Sequence, residues 1–554
     1  MAAGITTGRS ALPTELQDLV SSLASGDEPG FAVGIYSAGE LITVATAGCA
    51  LPEHDVPVTE HTVFDIASKS KHLTSTCLLL LVNDGLIELD EDIRVKLPEL
   101  ALRQPVTLRH CLTHSGGLRD YLSLCEAIGV PVLGIGEARA MDLITGLRDT
   151  DFSPGTAFSY SNTGFLLAAA LVRRITGASL AQFASERVFG PLGMTATRFR
   201  DDVGVLVPHL AGGYEAAVGK DGQTTFRRYD VTETAVGDGG CVTSLADLAA
   251  WHGFIASGDV LGTEIRDGLF AGQVLGADWS GYGLGLAAID IAGEAAWWHS
   301  GSWAGYRSAV IYLPGLATGV SVLANRNDKY ASYIAAAAAN ALVTGTDVRA
   351  HYSSLMGIPA PLEAARSAAA EVAGLWHAPA LDLYLEFQAR DGQIVAPDQD
   401  AEHAFRLGTD GRWHGIGTAS GGRFTRRGDV LTAGWGLSAG LEDSFVRAGS
   451  GAAAGSDSGP PSGLFLNEEL RVYAAAKGDG SGADITIGLA APRKLVPAGH
   501  GAWRAAAGGA LTVRVADDGA GLLVSVPGAH HLAFSRVADD RDIEIPRGLR
   551  AVGS

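Results

Sequence analysis

Apolar residues return along the first 345 positions with two different periods. GFAVGIYSAGELITVATAG, residues 30–48, alternates apolar and small residues and predicts a β-hairpin. Residues 69–83 instead close on TCLLLLV, and Asp84-Gly85 supplies a glycine stop, which predicts a helix. YSNTGFLLAAALVRRIT, residues 160–176, predicts a second helix that ends at Gly177. DLAAWHGFIASG, residues 247–258, predicts a third with Asp247 near its start, and ASYIAAAAANALV, residues 331–343, a closing one. Between them AWWHSGSWAGYRSAVIYLP and GVSVLANR predict adjacent strands. Helices around a mostly antiparallel sheet make this an α/β (α+β) domain over residues 1–355.

The pattern changes after Pro359. Short alternating runs such as LDLYLEFQARDGQIVAP and GRFTRRGDVLTAGWG are separated by turn residues, which predicts a small antiparallel β-barrel, lipocalin-like, over residues 365–450. AGSGAAAGSDSGPPSG, residues 448–463, has the composition of a flexible linker. A second β-rich stretch then runs from LFLNEELRVYAAA to HHLAFSRV and predicts another barrel over residues 460–554.

Composition narrows the chemistry. A formal charge of -20 argues against nucleic acid as a partner, because a nucleic-acid binder needs a basic face. The five cysteines are widely spaced and include no C-x-x-C, so neither a zinc site nor a disulfide framework is expected. The first residues contain no apolar leader core, and no apolar run reaches the length of a membrane span. The expectation is a cytoplasmic protein that needs neither membrane nor metal.

FDIASKSKHLTSTCLLLL, residues 64–81, places Ser68 and Lys71 one helical turn apart, so the two side chains share a face. A serine hydroxyl is a weak nucleophile and needs a base. A lysine at a helix N-terminus, partly buried, favours its neutral form and can serve as that base. The same helix start offers N–H groups to an oxyanion. Ser70 is the weaker candidate, because three residues on it meets Leu73. Lys69 is expected to be solvated.

Two further stretches fit this scheme. Tyr160-Ser161-Asn162 precedes an apolar helix, where a tyrosine can move a proton between nucleophile and leaving group. His299-Ser300-Gly301 opens a strand pair, and its glycine is expected to admit the substrate backbone closely. His114-Ser115-Gly116 is the competing H-x-G and is read as a structural turn.

FDIASKSKHLTS, LTHSGGLRDY, FSYSNTGF, GDGGCVTSLADLAAW and HSGSWAGYRS together resemble the serine β-lactamase and penicillin-binding-protein-like hydrolases over residues 15–345. Within that group the chain looks most similar to bacterial D-aminopeptidases, which carry two small β-barrels after the catalytic domain. The resemblance implies an acyl-enzyme on Ser68, with Lys71 and Tyr160 as general base and acid. It implies that Asn162 positions the substrate amide and His299 the proton relay or substrate, and that Ser68 and Ser302 N–H groups form the oxyanion hole. Gly301 and Ser302 then belong to the substrate-binding strand. No metal or cofactor is implied, and the partner is a peptide or small molecule; the assembly to test is a homodimer.

In that family a loop of the last barrel reads the substrate's amino terminus at the active site. The equivalent here, LAAPRKLVPAGHG, carries Arg493 and Lys494 and no carboxylate, so it is expected to attract a substrate carboxylate. The readings are therefore a D-aminopeptidase; an esterase, D-stereospecific endopeptidase, DD-carboxypeptidase or peptide cyclase/transpeptidase using the same acyl-serine; or a catalytically dead binding module.

Overall fold

The computed structural model describes residues 11–538 except 219–222, 272–280, 330, 358–359, 379–382, 398–401, 410, 417–421, 436–442, 449–460, 479–481, 500–501, 507–510, 517–519 and 527–528. The linker expected at 448–463 falls mostly outside the described residues.

The amino-terminal unit is built on a six-stranded antiparallel sheet. Its strands are β1 (Phe31–Ser37), β2 (Glu40–Ala47), β3 (Ala287–Ile291), β4 (Glu294–Trp303), β5 (Tyr306–Leu313) and β6 (Thr318–Ala324). They lie in the order β3-β4-β5-β6-β1-β2. The central strands are apolar on both faces, as a sheet covered on both sides requires. Phe31, Val33, Ile35, Ile311, Val320 and Val322 pack against α1 (Leu12–Leu23) and the alanine-rich helix Ala331–Thr344. Ala32, Tyr36, Val310, Tyr312 and Leu323 point the other way, into the helical half of the unit. The period of two in each strand thus serves two cores at once.

That helical half contains α2 (Lys71–Asn83), α3 (Asn162–Thr176) and α4 (Leu245–Ser257). Each ends as expected, with Gly177 and Gly258 in the left-handed conformation after α3 and α4. α2 is buried over Lys71–Leu81, which is why its sequence shows no polar face. It begins at Lys71 rather than at 69, because residues Ala67–Ser70 wind as a tighter 3-10 turn. Ser70 holds that turn: its hydroxyl donates to Ala67 O at 2.6 Å and accepts from Cys241 N at 3.2 Å.

Two closed antiparallel barrels of eight strands follow, over 374–447 and 463–538. Trp376, Phe387, Phe405, Trp413 and Phe424 fill the first, and these aromatics form a core of their own. The second barrel shares one continuous apolar core with the helical half of the first unit. It docks there through its Gly488-Leu489-Ala490 turn: Leu489 N donates to Ile128 O at 2.7 Å. Glycine is required on both sides, since a Cβ at Gly488 would lie 2.5 Å from Ile128 O and one at Gly129 2.1 Å from Ala490 N. Arg119 is 6% exposed between Asp151 and Glu469 of the second barrel, at 3.2 and 3.4 Å. Among the described residues no single helix is long and apolar enough to cross a membrane.

Candidate active site

A cleft of about 320 Å³ opens between the start of α2, the start of α3 and the free edge of β4. Ser68, Tyr160, Asn162, His299 and Ser302 line it, and Lys71 lies beneath.

Ser68 sits one residue after Ala67, whose φ of +47° is a left-handed value that an alanine rarely adopts. Asp65 accepts from Ala67 N at 2.7 Å and holds this bend. Strain of this kind persists only where the surroundings over-determine it. Here it places the Ser68 side chain at the mouth of a helical turn, where leading N–H groups have no partner inside the helix.

Lys71 Nζ has three oxygen neighbours: Asp238 O at 2.7 Å, Asn162 Oδ1 at 2.8 Å and Ser68 Oγ at 3.1 Å. The first two only accept. A neutral amine gives both hydrogens to them, and its lone pair is left facing the serine hydroxyl. Burial brings Lys71 down to about 8, against the opposing pull of Asp238 and Asp120. Such an amine can take the hydroxyl proton of Ser68 near neutral pH.

Tyr160 hydrogen-bonds Ser68 from the other side. Its residue is 38% exposed to the cleft, yet burial of the hydroxyl end holds its proton far above the ordinary tyrosine range. Tyr160 is therefore a proton donor at neutral pH, and its ring lies 4.8 Å from Lys71 Nζ. Asn162 is fixed through its backbone, which donates to Asp120 Oδ2 at 2.6 Å; Asp120 also caps the helix Tyr121–Ile128.

β4 forms the opposite wall. Its ladder with β3 ends at Trp298, so Ser300 and Ser302 lie beyond it. The hairpin closes on Trp303 and Tyr306, and hydrogen-bonded pairs alternate from there. The Ser302 amide therefore points away from β5, toward the cleft. Gly301 does not line the cleft. A Cβ there would meet Ile66 O at 2.1 Å and Ser308 Oγ at 2.4 Å. The space that a side chain would need is taken by the chain's own Ile66 carbonyl and Ser308 hydroxyl.

Lys69, Arg493 and Lys494 differ from expectation. Lys69 is fully buried, not solvated: it reaches Ser321 Oγ at 3.5 Å, beneath the sheet, and burial brings it down to about 7. Arg493 and Lys494 open a strand of the second barrel, opposite Ile485 and Asp484, and neither lines the cleft. His114 lies in a turn, as read, and its ring also packs at a tilt on Tyr160 with centroids 4.2 Å apart.

The cleft also holds carboxyls that its motifs did not single out. Glu233 accepts from Trp303 Nε1 at 2.7 Å and from Thr232 N at 3.0 Å. Asp238 accepts from Tyr121 Oη at 3.2 Å. Burial raises both. Among the described residues no group of three or more His, Cys, Asp or Glu is placed to hold a metal.

The chain belongs to the beta-lactamase family, whose model matches residues 16–344. It is similar to the D-aminopeptidase of Gluconobacter oxydans (strain 621H), with 31% identity over 317 residues, 56% of this chain and 58% of that one. It is also similar to the D-aminopeptidase of Brucella anthropi, with 30% identity over 286 residues, 50% of this chain and 52% of the other. The match thus spans little more than half the length of these curated relatives. The fold resembles that of the octameric penicillin-binding protein homologue from Pyrococcus abyssi. There the TM-score is 0.55 at 20% identity, over 78% of this chain and 99% of that one.

Proposed function

We propose that the protein is an acyl-serine hydrolase that releases an N-terminal D-residue from amides or short peptides. The observation that carries the chemistry is the Lys71 amine, whose two carbonyl-type acceptors turn its lone pair toward Ser68. Lys71 takes the Ser68 proton as Oγ attacks the substrate carbonyl. The oxyanion is held by the Ser68 and Ser302 amides. Tyr160 gives its proton to the leaving nitrogen as the C–N bond breaks, and Lys71 restores it. Asn162 holds Lys71 and stands beside the scissile amide. Water then attacks the acyl-enzyme by the reverse proton path.

The aminopeptidase reading is supported by charge. The cleft wall offers Glu233 and Asp238, while Arg493 and Lys494 stand outside it. Carboxyls favour a substrate ammonium and disfavour a terminal carboxylate. The named D-aminopeptidase relatives agree with this reading.

The test uses matched D- and L-alanine and phenylalanine p-nitroanilides, with Ser68→Ala as control. Release from the D series alone, lost in the variant, is expected. Release from N-acetylated but not free D-amides would refute the aminopeptidase reading and leave the acyl-serine chemistry.

A further inference from the structure

Three buried rings cross the floor of the cleft from one wall to the other. His114, Tyr282 and His299 are 2%, 2% and 6% exposed. Ser161 N lies 3.1 Å from His114 Nδ1, His114 Nε2 lies 3.2 Å from Tyr282 Oη, and Tyr282 Oη lies 2.9 Å from His299 Nε2. His299 Nδ1 lies 2.6 Å from Ser300 O.

The two ends fix the tautomers of the two imidazoles. The Ser161 amide can only donate, so His114 Nδ1 accepts and its proton is on Nε2. The Ser300 carbonyl can only accept, so His299 Nδ1 carries a proton. His114 therefore donates to Tyr282, and Tyr282 donates to His299 Nε2. Protonating His299 on Nε2 would turn the Tyr282 hydroxyl proton away from His299 and break the bond it donates there, and His114 cannot turn without facing the Ser161 amide with an N–H. Both imidazoles are held neutral, each in one tautomer.

His114 is also strained, with a φ of +56°. Its ring supports Tyr160 at 4.2 Å, and its Nδ1 holds the residue after Tyr160. His299 holds the Ser300 carbonyl at the strand edge beside Ser302. We propose that Tyr282 is a positioning residue, which ties the Tyr160–Asn162 wall to the Ser300–Ser302 edge and so fixes the separation of proton donor and oxyanion site. His299 then acts through its place in this strut and not as an acid or base.

The full-length protein, labelled with 15N-histidine and assigned with His114→Gln and His299→Gln, tests this directly. At neutral pH His114 is expected as the Nε2–H tautomer and His299 as the Nδ1–H tautomer. The opposite tautomer at either ring, or a protonated His299, overturns the proposal whatever any variant does. Tyr282→Phe keeps the ring and removes both hydrogen bonds. It is expected to shift the Nε2 signals of both histidines, while the tautomers set by Ser161 and Ser300 persist, and to lower kcat about tenfold or more, with KM within about threefold. The kinetic arm rests on the proposed hydrolysis. The rate of Ser68 labelling by a fluorophosphonate does not, and it should fall in parallel. A folded Tyr282→Phe variant with wild-type labelling and unchanged histidine signals would refute the strut.

Discussion

Lys69 and Lys71 are two residues apart, both wholly buried, and differ in what they meet. Lys71 has three oxygen partners, whereas Lys69 reaches a single hydroxyl at 3.5 Å. Activity that depends on neutral Lys71 should fall on the acid side of about pH 8, close to tenfold per pH unit, in a profile of kcat/KM. Lys71→Met should abolish turnover. Lys69→Met should retain kcat within about threefold and raise the melting temperature, because it removes a weakly satisfied buried amine. In the unfolded chain Lys69 keeps its proton to its ordinary 10.5, and in the fold only to about 7. Between those values the unfolded chain binds the extra proton, so Lys69 makes stability rise with pH by up to ~1.4 kcal/mol per unit. Its cost is fully present below about pH 7. Chemical denaturation at several pH values should show a shallower rise for Lys69→Met. Spacing in the sequence picked out Lys71, but burial of Lys69 was invisible there: polar and apolar residues alike are buried around the start of α2, so no periodicity marks which of them lies under the sheet.

At the scale of elements, β4 shows how a motif glycine can serve the scaffold. Gly301→Ala would drive a methyl against Ile66 O, one residue before the strained Ala67. The expected result is at least a hundredfold loss in kcat/KM together with a lower melting temperature. A loss of affinity alone would return the glycine to substrate binding. Hairpins and helices were legible because alternation and glycine stops are local signals: the hairpin of residues 30–48 and the Gly177 stop fall where the sequence places them. Ser68, Lys71, Tyr160 and His299 converge because the first and third immediately precede α2 and α3, the second opens α2 and the fourth lies on β4. Glu233 and Tyr282 were missed, and the contacts of His114 were not foreseen, for the opposite reason. Their significance comes from contacts across long separations, such as the 168 residues between His114 and Tyr282, and no short pattern records them.

In the whole molecule the cores do not follow the order of the chain. The first barrel has its own aromatic core, while the second joins that of the helical half. Calorimetry should therefore resolve a smaller transition for the first barrel. Trp376→Ala, which empties a fully buried site at a cost of about 3–5 kcal/mol, should lower that transition and leave the main one in place. A uniform shift of a single transition would show that the cores unfold together. Barrels were predictable from their strand spacing, but which of them would fuse with the catalytic core was not, because the docking turn is three small or apolar residues with no charge signature.

The pairing of Arg119 with Glu469 spans 350 residues. Asp120, the next residue, holds Asn162, and Asn162 holds Lys71. A ribosome making this chain thus delivers Ser68 and Lys71 early and the last support behind them near the end. The nascent protein passes through a long interval in which its hydrolytic machinery has been synthesised but is not yet braced, and a chain stopped short of the final barrel would leave that bracing unmade.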